Sequence, residues 1–396
     1  MRYLTAGESH GKALVGIIDD YPSGVQINLD FINYELSRRQ KGFGRGKRMS
    51  IEEDRVEILS GVRKGMTIGS PISFLIRNKD WENWRDIMDI LQEKSHKDVG
   101  SKNEEKLLLS PRPGHADFSG FLKYRLKTLR DVIERSSARE TAARVCIGAF
   151  AKTALNLFGI KVISYVTRIG RVGLDKEVSI TKDCIEDLIK EIEESELRCP
   201  DTSATMEMKE EITKAMENGD TVGGSFRVIA VNVPPGLGSY TQWDKRLDAR
   251  IAFSFMSIPA IKAVEIGQGF NASYYTGKEY HDEIYYSPEA GFFRKTNRAG
   301  GIEGGITNGE PVVVGAVMKP IPTTKDGLKT VNIKTKKPEL SLKERADVCA
   351  VPSASVIGEA MLSIEIFNAI QEKFGRDNIN EMIENYNNFK KYLKTV

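Results

Sequence analysis

Arg135-Ser-Ser-Ala-Arg-Glu-Thr-Ala142 opens the stretch that decides the fold, and Ala143-Arg-Val-Cys-Ile-Gly-Ala-Phe-Ala-Lys-Thr-Ala-Leu-Asn-Leu-Phe-Gly159 completes it. Ser137, followed three residues later by Glu140, predicts a capping box that starts a helix. Apolar residues then recur at helical spacing through Ala142, Val145, Cys146, Ala149, Ala154 and Leu157, and Gly159 ends the run. Ala142, Ala143, Gly148, Ala149, Ala151 and Ala154 make this helix slender, so neighbouring elements can approach it closely. A buried central helix is the expectation. Its first turn carries Arg135, Arg139 and two serines beside free backbone N–H groups, which suits a phosphate. A capped core helix with solvated arginines accounts for the same residues.

The chain of 396 residues has 40% hydrophobic and 29% charged residues, the composition of a soluble globular protein. A net charge of +3 gives no bulk attraction to nucleic acid or membrane, so any cationic site must be local. No signal-peptide pattern or membrane-spanning run is expected, and a cytoplasmic location follows. Cys146, Cys184, Cys199 and Cys349 are widely spaced without a Cys-x-x-Cys motif, which predicts reduced thiols and no metal site.

Outward from the central helix, the N-terminal segment reads as a strand over Arg2–Ala6, a glycine-framed loop carrying Ser9 and His10, and a strand over Leu14–Ile18. Asn28 or Asp30 caps a helix that runs into Arg38-Arg39-Gln-Lys41-Gly-Phe-Gly-Arg45-Gly-Lys47-Arg48, with six basic residues in eleven and no acidic one. Its glycines predict a mobile lid over a polyanionic small molecule. One aromatic, Phe43, is too few for a base-stacking platform. Trp81 to Leu91 reads as helical, and His96 as exposed and idle. The rigid Pro111-Arg-Pro-Gly-His115 loop presents Arg112 and His115, with Asp117 capping a helix through Tyr124 and Leu129. His281 reads as structural. No phosphate-binding lysine loop, dinucleotide fingerprint, zinc-protease helix or nucleophile elbow is present.

An internal repeat predicts the architecture. Gly61-Val-Arg-Lys-Gly-Met-Thr-Ile-Gly-Ser-Pro-Ile72 matches Gly301-Ile-Glu-Gly-Gly-Ile-Thr-Asn-Gly-Glu-Pro-Val312, and a lysine (Lys79, Lys319) follows each copy. Two halves built on one plan, interlocked in a single domain over residues 1–396 and related by a pseudo-two-fold axis, are expected.

Four stretches in this order resemble chorismate synthase: Gly7-Glu-Ser-His-Gly11 with its following apolar run, Arg112-Pro-Gly-His-Ala-Asp117, Glu134 through Phe150, and Arg345-Ala-Asp-Val-Cys349 through Met361. Asp20 stands where a glycine or histidine is usual, and Ala346 where a bulkier residue is common. The resemblance implies an α+β fold, a β-α-β sandwich with helices between two antiparallel sheets and internal pseudo-symmetry, assembled as a homotetramer. It implies a lyase of the shikimate pathway that converts 5-enolpyruvylshikimate 3-phosphate to chorismate and phosphate, using reduced FMN without net redox change. In that reading His10 protonates the departing phosphate, His115 stabilises the reduced flavin, and Asp347 relays a proton from flavin N5. Ser9, Arg39, Arg45 and Arg139 would bind substrate, or Arg39 and Arg45 an NADPH phosphate. FMN contacts carried over are Arg135, Ser136, Ser137, Pro259, Ala260, Gly304, Lys319, Pro320, Ile321, Pro322, Thr323 and Arg345. The expected partners are the substrate and a reductase that supplies reduced flavin, with no nucleic acid and no membrane. The alternatives are a bifunctional form with its own NADPH-dependent flavin reduction, and a binding protein for phosphorylated ligands or RNA resting on residues 38–48.

Overall fold

The computed structural model describes residues 1–45, 53–91, 108–175, 178, 185–289, 291–342 and 347–396. Two antiparallel sheets enclose a layer of helices. The first sheet has the order Arg2–Ala6, Ala13–Asp19, Ile72–Arg77, Val56–Ile58, and the second Ile261–Ile266, Val312–Met318, Gly224–Val231, Lys161–Ile169, Val172–Gly173. Helix Thr141–Asn156 packs on the first sheet and helix Val351–Phe374 on the second, and the two pack on each other. Helix Leu29–Gln40 lies against both, and helix Leu247–Met256 against the long helix. This is the expected α+β sandwich.

Small residues set the spacing between the two central helices. A Cβ built on Gly148 would lie 2.3 Å from the Cβ of Ala360. On the two sheets, Phe74 and Phe226 are fully buried against the helix layer, Phe74 beside Phe150 and Phe226 beside Gly358, each side chain contributing about 1.5–3 kcal/mol of transfer free energy. One apolar cluster runs from Leu14 and Phe74 through the helices to Phe226 and Val314. Helix Val351–Phe374 is long and apolar enough to cross a bilayer, but 89% of its most apolar stretch is buried within the protein.

The repeat extends to the hydrogen bonds. Both copies form a two-residue hairpin, Val62–Arg63 with Met66–Thr67 and Ile302–Glu303 with Ile306–Thr307. The Thr67 hydroxyl donates to Pro22 O and accepts from Val25 N; the Thr307 hydroxyl donates to Pro234 O and accepts from Leu237 N. Strands Arg2–Ala6, Ala13–Asp19, Ile72–Arg77 and Val56–Ile58 recur in the same sheet order as Lys161–Ile169, Gly224–Val231, Val312–Met318 and Ile261–Ile266. Asp20 and Asn232 follow corresponding strands at φ 58° and 62°. That left-handed conformation explains why glycine suits this position and why Asp tolerates it.

Several local expectations are corrected. Ser137 caps a short 3-10 turn, Ala138–Glu140, by accepting from Arg139 N, and no capping box forms because the Glu140 carboxylate pairs with Arg144 one turn on. The predicted Trp81–Leu91 helix is confined to Trp81–Trp84. Asp117 is the first residue of its helix, which ends at Tyr124 where Arg125 takes φ 53°. Arg38 and Arg39 belong to the last turn of helix Leu29–Gln40 and are buried. The following backbone is fastened: Phe43 N donates to Glu196 O, and Val348 N to Gly44 O. Through Arg45 this segment is therefore built into the fold; Lys47, Arg48 and His96 lie outside the described residues.

Candidate functional site

The glycine-framed loop after the first strand holds His10 against helix Arg130–Arg135. The two Glu134 carboxylate oxygens lie 2.9 Å from His10 Nδ1, and the His10 backbone N–H also donates to Glu134 Oε2 at 2.9 Å. Arg130 reaches the same carboxylate at 3.3 Å. Burial alone would raise the Glu134 acid, but the His10 bonds and charge, with Arg130, outweigh it and hold the carboxyl below its ordinary range. An ionised carboxylate only accepts, so His10 Nδ1 carries hydrogen and Nε2 is the nitrogen left for chemistry. Trp84 stacks on the imidazole with ring centroids 3.8 Å apart.

Beside this pair is a cationic pincer. Asp54 accepts from Arg39 at 2.7 Å and from Arg139 through its other oxygen. Burial would raise Asp54, yet the two guanidinium groups keep it below the usual carboxylate range. Arg139 Nε donates to Asn78 Oδ1 at 2.9 Å, and Asn78 Nδ2 donates to Glu8 O and Gly11 O, which ties the pincer to the His10 loop. The Ser137 hydroxyl meets that of Ser9 at 3.2 Å. Arg45 pairs with Asp347 at 3.0 Å. The Nε atoms of Arg39 and Arg45 are buried with no hydrogen-bond partner among the described residues, a defect that an anionic ligand would relieve.

The third part is the His115 loop. Arg112 binds Asp117 at 3.1 Å and the Thr323 hydroxyl at 3.1 Å, and its Nη2 approaches the His115 ring at 3.1–3.2 Å. Asp117 N donates to His115 Nδ1. Burial first, then Arg112, with a smaller push from Lys319, lowers His115 to about 4 against the pull of Asp117. His115 is therefore neutral at pH 7; Nδ1 accepts from Asp117 N, which leaves the ring hydrogen on Nε2, beside Arg112 Nη2. Lys319 Nζ donates to Gly114 O, and Lys319 N donates to Ala260 O, so Pro259–Ala260 adjoin this loop.

These parts join through the backbone. The Thr221 hydroxyl donates to Ile321 O, Val222 N to Val348 O, and Val348 N to Gly44 O. A continuous track runs from His115 and Lys319–Thr323 past Asp347–Arg45 to the Arg39–Asp54–Arg139 pincer and His10–Glu134. Arg135, although adjacent, directs its guanidinium to Thr5 O, Thr5 Oγ1 and Gly7 O, and the Ser136 hydroxyl donates to Val132 O. Gly304 sits in the hairpin Ile302–Glu303 with Ile306–Thr307, before strand Val312–Met318, and Lys319 follows the far end of that strand. Arg345 and Ala346 lie outside the described residues.

Glu134, Asp54, Asn78 and Trp84 are absent from the sequence expectations for the site. Glu134 offered one sign, its position four residues after Arg130. Asp54 is the last of Glu52-Glu53-Asp54, which reads as a solvated acidic run with nothing to single out one member.

Comparison with known proteins shows the family. A sequence model of the chorismate synthase family matches residues 1–371. The chain is 55% identical over 391 residues to the chorismate synthase of Sulfurihydrogenibium sp. (strain YO3AOP1), covering 98% of each, and 49% identical to that of Aquifex aeolicus (strain VF5), covering 100% of this chain and 98% of the relative. A crystal structure of a chorismate synthase superposes with a TM-score of 0.80 at 41% identity, over 100% of this chain and 98% of that one. The chain belongs to the chorismate synthase family, enzymes of the carbon–oxygen lyase class.

Proposed function

We propose that this chain converts 5-enolpyruvylshikimate 3-phosphate to chorismate and phosphate by a 1,4-anti elimination, with reduced FMN bound beside the substrate. The observation that carries the reading is the track just described, with His10 and His115 toward opposite ends of a row formed by Arg39, Arg45 and Arg139. The substrate bears a phosphate and two carboxylates. Arg39, Arg45 and Arg139 are positioned as its clamps, each charge-assisted hydrogen bond contributing about 1.5–3 kcal/mol. These arginines meet carboxylates inside the fold, which fits a small anion in a cleft better than an RNA surface.

His10 Nε2 is the proton donor to the departing phosphate, and Asp347, paired with Arg45, is the proton relay. Neutral His115 donates Nε2–H. The residues fit FMN: the buried unpartnered guanidinium nitrogens call for an anion, and Lys319–Thr323, Pro259–Ala260, Ser137 and His115 are the groups that would hold the cofactor. When bound, reduced flavin would supply transient electron donation and an acceptor for the C6 hydrogen. We also propose a homotetramer, supported by exposed Tyr240, Trp243, Phe253, Phe270 and Tyr274, and one domain over residues 1–396, supported by the shared core. Buried unpaired thiols at Cys146, Cys199 and Cys349 fit a cytoplasmic setting.

The test is anaerobic phosphate release with dithionite-reduced FMN; absence of release overturns the reading. Release with NADPH and oxidised FMN alone would establish the bifunctional form. His10→Ala and His115→Ala should each lower turnover by about 10²–10⁴ while FMN fluorescence still reports binding. Near wild-type turnover in either would remove that histidine from the mechanism.

A further inference from the structure

We infer that Glu134 is a positioning residue that fixes His10 in one tautomer and one ring orientation, so that Nε2 alone carries the transferred proton. The inference rests on the proposed role of His10, but its central claim, the tautomer, is readable without turnover. Three donors converge on one buried carboxylate: His10 Nδ1–H at 2.9 Å, the His10 backbone N–H at 2.9 Å and Arg130 at 3.3 Å. The Glu134 side chain has no solvent exposure, so water does not substitute for any of them. The ring face is held as well. Trp84 stacks on His10 at 25° between planes, and the Arg130 guanidinium lies 5.0 Å from the centre of the same indole. Tilting the imidazole would break the stack, and flipping it about Cβ–Cγ would put Cδ2 in the place of Nδ1 and forfeit the bond to the carboxylate.

The Nε2–H bond of the imidazolium breaks as an O–H bond forms on the leaving phosphate, which keeps the electron pair of its C–O bond. The ring returns to the neutral Nδ1–H form that Glu134 already binds, so no second rearrangement is required before reprotonation at Nε2.

Glu134→Gln preserves shape and removes one acceptor oxygen. A glutamine offers one oxygen to three donors, and its NH₂ must face something. His10 Nδ1 is the one partner able to become an acceptor, which it does by moving its hydrogen to Nε2. Nitrogen-15 NMR of histidine-labelled protein, with the His10 signals assigned by His10→Asn, should show the neutral wild-type ring protonated at Nδ1 and the Glu134→Gln ring shifted toward Nε2–H. Turnover should fall by about 10²–10⁴, the range seen when an acid–base histidine is left in the wrong tautomer. The substrate KM should change by less than about threefold, because Glu134 faces the ring and not the arginine clamps. Glu134→Asp, which restores a carboxylate, should recover the wild-type tautomer and part of the rate. A wild-type ring already protonated at Nε2 overturns the inference without any variant, as does an unchanged tautomer in Glu134→Gln. A reversed tautomer with unchanged turnover upholds the positioning and overturns His10 as the proton donor.

Discussion

Replacing Glu359 by glutamine tests whether the helix layer depends on balanced buried charge. Glu359 lies on the long helix with no side-chain exposure and accepts from Arg38 at 2.8 and 2.9 Å, Arg198 at 2.8 Å, Ser164 at 2.7 Å and Lys152. Glu35 and Glu193 complete the group, so three cations (Arg38, Lys152, Arg198) face three carboxylates (Glu35, Glu193, Glu359). Burial would push Glu359 up, but the three cations hold it far below the usual carboxylate range. A carboxylate depressed in the folded state contributes stability above its unfolded pKa and loses it as pH falls toward the folded one. At pH 7 the whole contribution is present. Glu359→Gln leaves one excess positive charge in the core and turns an NH₂ toward guanidinium groups. Breaking one partner of such a buried pair costs about 3–5 kcal/mol. An unfolding entropy of about 2.1 cal/mol/K per residue over 396 residues gives roughly 0.8 kcal/mol/K. The melting temperature should therefore fall by about 4–6 °C. Thermal unfolding at pH 7 in low and high salt is the assay, and the loss should be insensitive to salt because the pairs are buried. A variant that melts within about 1 °C of the parent would refute the reasoning.

Two further outcomes follow from other contacts. His115 is lowered to about 4 in the folded protein, from an ordinary 6.5, so the folded state binds fewer protons and its stability is lost as pH falls from 6.5 toward 4. The full interval amounts to roughly 3 kcal/mol; denaturant titrations should show His115→Asn losing less over that window, and parallel curves would contradict it. At the helix crossing, Gly148→Ala should cost about 1–3 kcal/mol, although alanine favours helix by roughly 1 kcal/mol, because the new methyl would sit 2.3 Å from Ala360 Cβ. Ala360 Cα lies 2.5 Å from the same position, so adding Ala360→Gly should recover only a small part of the loss; a Gly148→Ala variant that melts at or above the parent would refute the close approach.

What is legible in the sequence is what short-range geometry forces. The repeat shows because its hairpins need left-handed backbone: Gly61 and Gly301 sit at φ 79° and 77°, and Gly65 and Gly305 at 79° and 86°, where a Cβ is strained. The central helix shows because Gly148 and its alanines must admit a second helix. The charged groups are different. Arg38 and Arg39 look like one basic strip, yet one helical step of 100° separates them. That rotation sends Arg38 to Glu359, 321 positions away, and Arg39 to Asp54. The Trp81–Leu91 pattern reads as helix because local periodicity carries no trace of Trp84 turning onto His10.

A guanidinium buried on a complete set of carboxylates is structural, whereas Arg39, which shares the single carboxylate of Asp54 with Arg139, keeps a buried Nε with no hydrogen-bond partner among the described residues. Arg38 meets Glu35, Glu193 and Glu359, whereas Arg39 and Arg139 divide Asp54 between them. Neighbouring arginines of the same helix turn thus differ in kind. The difference is fixed by long-range contact, which is why the residues that hold the candidate site in place emerge from the fold and not from the run of basic residues that first drew attention to it.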